Sequence, residues 1–145
     1  MAIKFPSVDF FKELARRMDG NAAEFEKLGF CDTTMGVKVD GDASHLYALT
    51  FEVFGCSDVR ELSSPGDAEL DFTLEAPLSL WQEMFESIKK TGHPEPAYSL
   101  NSLSHVGDRM AVVYDEPEGH DKFYRFMATI QAFVDQASDL EIEWA

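Results

Sequence analysis

The pattern of apolar and polar positions is most informative between residues 71 and 108. Residues 71–74 are typical of a strand end, residues 75–77 form a connector with a proline, and a helix is predicted over about residues 78–91, ending at Gly92. The apolar residues of this helix recur at the spacing of one broad face: Leu80, Trp81, Met84, Phe85 and Ile88. Polar residues occupy the opposite face, so the apolar face must be buried.

A proline-rich loop and a short apolar segment follow this helix. Pro94 and Pro96 favour an extended path for the loop over residues 92–98, as expected at the rim of an opening. The segment over residues 100–106 is apolar, and it ends at Gly107 and Asp108. The loop and the segment are therefore expected to return the chain to the interior.

Two amphipathic helices are predicted before the first strand. Ser7 is a suitable cap for the first helix, which ends at Asp19 and Gly20. Asn21 is a suitable cap for the second helix, which is short and stops before Gly29. Each helix carries charges on one face and apolar residues on the opposite face. We therefore expect the apolar face of each helix to pack on an apolar surface.

Period-two alternation predicts a sheet in the first half of the chain. Strands over residues 33–40 and 45–54 flank a turn and form a hairpin, with Gly55 breaking the ladder after the second strand. A weak edge strand over residues 56–62 and a strand over residues 68–74 extend the sheet as a meander. One face of the sheet is expected to be apolar and the other wet, so the helices must cover the apolar face.

The last third of the chain predicts a strand, a loop and a long helix. Residues 110–114 fit a helix or a strand, and the β-branched pair favours a strand. Residues 115–119 are interpreted as a loop, and Asp121 as the cap of the final helix. The helix keeps one apolar face without a gap, formed by Phe123, Phe126, Met127, Ile130, Phe133, Val134 and Ala137.

Length and charge limit the possible functions. A chain of 145 residues suits one domain with a substantial core, and its twelve Phe and six Met make that core bulky and adaptable. The formal net charge of −15 repels phosphate backbones and anionic bilayers, so we expect no nucleic acid partner and weak or no membrane binding. Without a signal-like start or an apolar run long enough for a membrane span, a soluble cytoplasmic protein is expected.

Catalytic and metal-binding motifs are missing from the sequence. The four histidines lack the close spacings of zinc and metalloprotease sites, and the sequence has neither a nucleophile elbow nor a glycine loop for phosphate. Cys31 and Cys56 are interpreted as buried structural thiols. The acidic pairs on helices and loops are interpreted as solvated faces. The sequence therefore predicts no enzyme, no cofactor and no metal.

The order of these parts resembles the type-2 sterol carrier protein family. The resemblance rests on the acidic-x-Thr-Leu strand at residues 71–74, the helix with Trp81, the loop after it, and the apolar segment that ends in Gly107 and Asp108. It implies an antiparallel sheet covered by helices that enclose an apolar tunnel for lipids. It also implies that residues 78–91 and 98–108 line that tunnel.

The sequence is therefore expected to fold as an α/β (α+β) domain, residues 1–145, in which helices cover one face of a mainly antiparallel sheet of about five strands and enclose an apolar cavity. We predict that it binds a lipid or another apolar small molecule, such as a fatty acyl or sterol-like compound, without catalysis. The predicted lining is Met35, Phe51, Phe72, Trp81, Met84, Phe85, Ile88, Tyr98, Leu100, Leu103, Met110, Phe126, Met127 and Ile130.

Two alternatives use the same sequence features. The apolar stripe over residues 121–137 also suits an interaction module that packs on a partner chain or forms a homodimer without any ligand. A small enzyme that uses a cysteine or a carboxylate in the degradation of an apolar substrate is the second alternative.

Overall fold

The computed structural model describes residues 2–105 and 109–145, so Val106, Gly107 and Asp108 of the predicted apolar segment lie outside the described residues. The chain begins with strand β1 (Ile3–Phe5), helix α1 (Val8–Gly20) and helix α2 (Ala22–Leu28). The Ser7 side chain accepts a hydrogen bond from the Phe10 amide at 3.0 Å, which confirms Ser7 as the cap of α1. Asn21 is the N-cap residue of α2, as predicted, but it accepts a hydrogen bond from the Glu24 amide at 2.9 Å through its backbone carbonyl, and its side chain makes no capping hydrogen bond.

A five-stranded sheet forms the centre of the fold. Its strands are β2 (Thr33–Asp40), β3 (His45–Glu52), β4 (Gly55–Leu62), β5 (Phe72–Pro77) and β6 (Ala111–Val113). The order across the sheet is β4-β3-β2-β5-β6, and β2 with β3 forms the predicted antiparallel hairpin. Three of the four pairings are antiparallel, whereas β5 runs parallel to β2, so the sheet is mixed.

The meander prediction is wrong because the chain crosses the sheet between β4 and β5. Residues 63–71 run over the face that was expected to be wet, where Ala68 and Leu70 pack on a small buried cluster of Leu46, Ala48 and Leu62. This crossover places β5 beside β2 instead of β4. The strand predicted over residues 68–74 accordingly begins at Phe72 and includes the residues that were interpreted as a connector.

Gly55 does not break the ladder. It opens β4 and pairs with Glu52, whereas Val53 and Phe54 make the turn. The backbone of Val53 has a φ of 58°, in the left-handed region that β-branched residues rarely adopt. The prediction that the strand over residues 56–62 lies at an edge is confirmed, since β4 is the first strand of the sheet order.

The helices after β5 cover the apolar face of the sheet. They are α3 (Leu78–Thr91), α4 (Leu100–His105), α5 (Pro117–Arg125) and α6 (Met127–Asp135). The predicted bounds of α3 are confirmed, including its end at Gly92. The strand predicted near residues 110–114 is also confirmed, as β6. The loop over residues 92–98 is less extended than predicted, because Pro96–Tyr98 forms a turn of 3-10 helix.

The final helix differs from its prediction at both its start and its middle. It begins at Pro117 rather than after Asp121, because Pro117 occupies the first turn, where a missing N–H costs nothing. The loop predicted over residues 115–119 is therefore partly helical. The helix is also interrupted at Phe126, whose φ of −105° and ψ of 10° separate α5 from α6.

A second, two-stranded sheet was not predicted. Strand β7 (Ile142–Trp144) pairs in parallel with β1 and sets Phe5 opposite Trp144. The two rings meet at 5.4 Å between centroids. Strands of three residues contain too little alternation to be recognised in the sequence.

Candidate ligand-binding site

A surface cavity opens at the β6 edge of the five-stranded sheet, between α4 and α5. It has a volume of about 410 Å³, within the usual range for small-molecule sites. We call it the β6-edge cavity, and its lining is Ser104, Met110, Ala111, Val112, Tyr114, His120 and Tyr124. Its lining combines polar groups and rings with the aliphatic side chains of β6.

Aromatic rings form the rim of the β6-edge cavity. The His120 ring lies 4.8 Å from the Tyr114 ring and 4.7 Å from the Tyr124 ring, between centroids. The Tyr124 hydroxyl and the His105 ring are hydrogen-bonded, which joins α5 to the end of α4. Tyr114 and Tyr124 are each 42% exposed. Rings with polar tips at a partly wet rim are suited to contact both a ligand chain and its polar end.

The floor of the cavity reaches the protein interior at Met110. This side chain is 1% exposed and belongs to the main buried cluster. The Met110 amide donates a hydrogen bond of 3.0 Å to the Leu103 carbonyl, which brings β6 back against α4. Met110 belongs to the predicted lining, so the cavity meets the predicted site at this position, and Leu103, another predicted residue, lies directly behind it.

Most of the predicted lining residues are buried in one cluster. Eleven of them are at most 1% exposed: Met35, Phe51, Phe72, Trp81, Met84, Phe85, Ile88, Leu100, Leu103, Met110 and Ile130. The other three, Tyr98, Phe126 and Met127, are half-buried against the same cluster. The structure thus brings the predicted residues together, and their contact with a ligand remains a prediction.

Phe85 lies on the side of the cluster that faces α1 and β1, and Trp81 stacks on it. The Trp81 indole N–H donates to the carbonyls of Lys38 and Ala76, each at 3.2 Å, and so fixes α3 to the junction of β2 and β5. The Phe85 ring packs edge-on against Phe5 at 5.3 Å and Phe10 at 5.1 Å. These two residues therefore hold α3 in place.

Phe51 and Phe72 lie on the side that faces the last helices. Phe51 packs edge-on against Phe133 of α6 at 5.1 Å, and Phe72 packs against Phe123 of α5 at 5.4 Å. Phe123 is completely buried one position before Tyr124, which lines the β6-edge cavity. The contact between Phe72 and Phe123 therefore lies behind the Tyr124 ring of the cavity.

A chain of hydrogen bonds ties the segment before α4 to α6. The Leu100 amide donates to Gln131 Oε1 at 2.8 Å, and Gln131 Nε2 donates to Asp135 Oδ1 at 2.8 Å. Asp135 Oδ2 meets the ring of His93 at 2.8 Å. Burial raises the pKa of the Asp135 carboxyl, although Gln131 and His93 oppose that shift. The chain fixes both ends of the segment over residues 93–100.

Asp71 holds α5 against the sheet. Its Oδ2 accepts hydrogen bonds from the Thr33 hydroxyl at 2.7 Å and the Thr34 amide at 3.0 Å, and it pairs with Lys122 Nζ at 3.3 Å. Burial opposes ionisation of this carboxyl, but the two hydrogen bonds and the charge of Lys122 together lower its pKa. Asp71 thus positions the helix that carries His120 and Tyr124.

The two cysteines are buried and free, as predicted. Burial is the main cause that raises the pKa of each thiol to about 12. A thiol with so high a pKa is a poor nucleophile at neutral pH. Among residues 2–105 and 109–145, no three His, Cys, Asp or Glu side chains are grouped as a metal site. The helices of the same residues lack the combination of length and apolar composition that a membrane span requires.

The aromatic rim was missed by the sequence analysis. Tyr114 and Tyr124 were not candidates because they lie outside the apolar faces of the predicted strand and helix, and His120 was placed before the cap of the predicted helix. Pro117 was the available signal, since a proline in the first helical turn would have started α5 earlier. His120 and Tyr124 would then have been recognised as neighbours four positions apart on one helix face.

Three solved structures are similar to this chain over most of their length. A conserved hypothetical protein from Thermus thermophilus, whose name proposes a sterol carrier protein, has a TM-score of 0.69 at 17% identity and covers 94% of this chain and 90% of its own. A crystal structure of sterol carrier protein 2 has a TM-score of 0.63 at 18% identity, and the match covers 91% of this chain and 95% of that protein. The apo form of sterol carrier protein 2 from Yarrowia lipolytica has a TM-score of 0.53 at 13% identity, and the match covers 91% of this chain and 89% of that protein.

No protein-family model and no curated protein sequence matches the chain. At identities of 13–18% the structural matches establish the fold. They confirm the resemblance on which the sequence analysis relied. The chain therefore has the sterol carrier protein 2 fold.

Proposed function

We propose that the protein binds or carries an apolar small molecule, such as a fatty acyl or sterol-like compound, without transforming it. The ligand enters through the β6-edge cavity and occupies the space between the sheet and helices α3, α4, α5 and α6. One observation carries the proposal: Met110 is both the floor of the cavity and a member of the main buried cluster.

The similar structures support this proposal by their fold and by their names, which refer to sterol carriers. The chemistry of the described residues agrees with it as well. The cavity floor is aliphatic, and its polar groups, the hydroxyls of Ser104 and Tyr124 and the ring of His120, surround the opening. A ligand with an apolar body and a small polar end matches that arrangement.

Ligand entry requires the side chains of the buried cluster to rearrange, and the cluster contains side chains that can do so. Met84, Met110 and Met127 are unbranched side chains that adapt to different shapes at low cost. In this proposal the methionines yield volume while Trp81 keeps α3 fixed on the sheet.

The expected affinity is about micromolar. Each buried methylene contributes roughly 0.8 kcal/mol, so about ten methylenes reach the ~8 kcal/mol of a micromolar complex. Longer chains provide a surplus, which the ordering of the ligand and of the protein consumes. The proposal therefore predicts stronger binding of long acyl chains than of short ones.

A ligand panel combined with a cavity-blocking variant tests the proposal. Fatty acids, acyl-CoA esters and sterols are titrated against the protein while melting temperature and ligand fluorescence are measured. Ala111 is exposed on β6 and lines the cavity, so Ala111→Trp fills the opening without entering the core. We expect the variant to bind at least about tenfold more weakly while its melting temperature without ligand is unchanged.

Ala23→Trp is the matched control, because Ala23 is exposed on α2, far along the chain from the cavity residues. It should leave ligand affinity unchanged. If no compound of the panel binds at saturating concentration, or if Ala111→Trp binds as well as the unaltered protein, the proposed function is wrong.

A further inference from the structure

A second group of exposed apolar side chains lies away from the β6-edge cavity. Leu28, Phe30 and Val53 are 43%, 68% and 52% exposed, and the half-buried Phe54 stacks on Phe30. We call these four residues the Phe30 patch. They come from the end of α2 and from the turn between β3 and β4. Exposed apolar groups of this kind mark interaction surfaces more often than scattered single residues do.

The Phe30 patch is held in a defined arrangement. The Phe30 and Phe54 rings are 5.1 Å apart and nearly parallel, with an interplanar angle of 10°. The Cys31 amide donates to the Val53 carbonyl at 2.8 Å, which joins the two segments directly beside the rings. The φ of 89° at Gly29 turns the chain after α2, so Phe30 is presented on the surface instead of continuing the helix.

Val53 occupies the left-handed backbone region at the tip of the turn. A β-branched side chain is strained there, and glycine or asparagine would be more stable at such a position. Its side chain is also half exposed, so burial does not compensate for the strain. Folding stability therefore does not account for a valine at this position.

The two chain segments that carry the Phe30 patch are rich in acidic residues. Residues 19–32 and 52–58 contain six acidic residues and one basic residue, Lys27, which is ion-paired with Glu24 at 3.3 Å. Asp19 and Glu52 also line a surface cavity of about 490 Å³ together with Val53 and Phe54. The patch thus has a negatively charged rim on the side of Asp19 and Glu52. Charge complementarity requires a positively charged rim on whatever covers it.

We propose that the Phe30 patch docks a partner protein through a segment whose apolar side chains are flanked by lysine or arginine. The rim repels anionic lipid. A second copy of this chain, with a net charge of −15, would face the same repulsion. This docking surface is independent of ligand binding at the β6-edge cavity, with which it shares no residue.

Selection from a random peptide library tests the proposal. The immobilised full chain is the bait, and the Phe30→Ser variant serves for counter-selection, so that peptides bound elsewhere are removed. Phe30 is exposed, and its replacement should leave the fold intact, which the melting temperature verifies. We expect enriched peptides that combine aromatic or aliphatic residues with flanking Lys or Arg. The proposal is overturned if the enriched peptides are uncharged or acidic. It is also overturned if no peptide is enriched in a manner that depends on Phe30.

An enriched peptide is then titrated by NMR at physiological salt. We expect amide shifts at residues 28–32 and 52–57, and at least about tenfold weaker binding to Phe30→Ser, as is usual for a central aromatic contact. The control Val113→Ser removes a comparably exposed apolar side chain, 44% exposed on β6, and should bind as before. A peptide version with Ser in place of its apolar residues should not bind, and equal binding would overturn the proposal.

Two further measurements separate the other possible occupants. Self-association in sedimentation velocity that is abolished by Phe30→Ser would assign the patch to a second copy of the chain. Binding to uncharged phosphatidylcholine vesicles that is abolished by the same variant would assign it to a membrane. Either result overturns the proposal. The proposed ligand binding is judged separately, because Phe30→Ser should leave the affinity for the ligand panel unchanged.

Discussion

Gly119 packs so closely on Asp71 that a Cβ at residue 119 would lie 1.8 Å from the Asp71 carbonyl oxygen. The contact sets the first turn of α5 directly on the residue that precedes β5. The Asp71 carboxylate also forms an ion pair with Lys122, which lies three positions after Gly119 in α5. Asp71 therefore fixes α5 through both its backbone and its side chain, and with it the position of His120 and Tyr124 at the cavity rim.

We expect Gly119→Ala to destabilise the fold. The added methyl cannot fit at 1.8 Å from a backbone oxygen, so α5 must shift, at a cost of about 1–3 kcal/mol. Gly20→Ala is the matched control, because a Cβ at Gly20, the last residue of α1, meets nothing within 4 Å. Urea midpoints compare the two variants. Equal midpoints would mean that α5 is not packed on Asp71 as described.

Asp71→Asn should reduce stability in a pH-dependent manner. The pKa of this carboxyl is lowered in the folded protein. Its contribution to the free energy of unfolding is therefore complete above the unfolded-state pKa of about 3.9 and is lost as the pH falls through the folded-state pKa. The side chain is 32% exposed, so solvent screening limits the loss at pH 7 to about 1–2 kcal/mol. Urea midpoints at pH 7, 5, 4 and 3 should show the two proteins converging toward low pH.

Asp42→Asn provides the control for that series, because it makes the same change of charge at an exposed turn between β2 and β3. It should differ little from the unaltered protein at each pH. If the loss in Asp71→Asn is constant with pH, the ionised carboxylate is not what stabilises α5.

The sequence predicted elements that have long, regular patterns. Helix α3 was located with its correct ends because fourteen residues repeat one apolar face and Gly92 stops it. The β2–β3 hairpin followed from two long alternating strands on either side of a turn. The order β4-β3-β2-β5-β6 was not predictable, since alternation shows which residues of β5 point inward but not which strand lies beside it.

Among the described residues that line the β6-edge cavity, Met110 belongs to the predicted lining, whereas the aromatic rim was not predicted. Met110 and Leu103 are apolar residues that had to be buried, and the structure places them together. Tyr114 and Tyr124 are amphipathic and half exposed, so hydrophobic periodicity gives them no distinct position. The interruption at Phe126 was equally hidden, because the apolar spacing continues through it without a gap.

Both cysteines should resist alkylation in the folded protein. Burial raises the pKa of Cys31 and of Cys56 to about 12, so very little thiolate is present at pH 8. Iodoacetamide at pH 8 should modify them at least about a hundredfold more slowly in buffer than in denaturing urea, where the pKa returns to about 8.5. Mass spectrometry follows the reaction. Rapid labelling of either native thiol would instead support an enzyme with a cysteine nucleophile.

Binding to anionic vesicles should be weak and should not decrease when salt is raised. A net charge of −15 gives repulsion from anionic lipid, and added salt screens that repulsion. Cosedimentation with vesicles rich in phosphatidylserine, at low and at high salt, measures this. Strong binding at low salt that disappears at high salt would require a basic membrane-docking surface and would contradict the prediction.

Met84→Trp distinguishes a ligand-bearing interior from a close-packed core. Met84 is completely buried on the inward face of α3, one turn after Leu80 and Trp81, and it belongs to the predicted lining. If a ligand binds beside Met84, the surrounding side chains can rearrange to make space at this position. The larger ring then occupies the volume that the ligand uses, so affinity for the ligand panel should fall while stability changes little.

Met18→Trp is the matched comparison for this variant. Met18 is equally buried, but it lies on α1 and outside the predicted lining, so overpacking there should cost about 1–3 kcal/mol without a comparable loss of affinity. Denaturant midpoint and ligand affinity are measured for both variants. The proposed location of the ligand requires Met84→Trp to lose more affinity and less stability than Met18→Trp. If Met84→Trp loses as much stability as Met18→Trp and binds ligand unchanged, Met84 is core, and the ligand does not lie against α3.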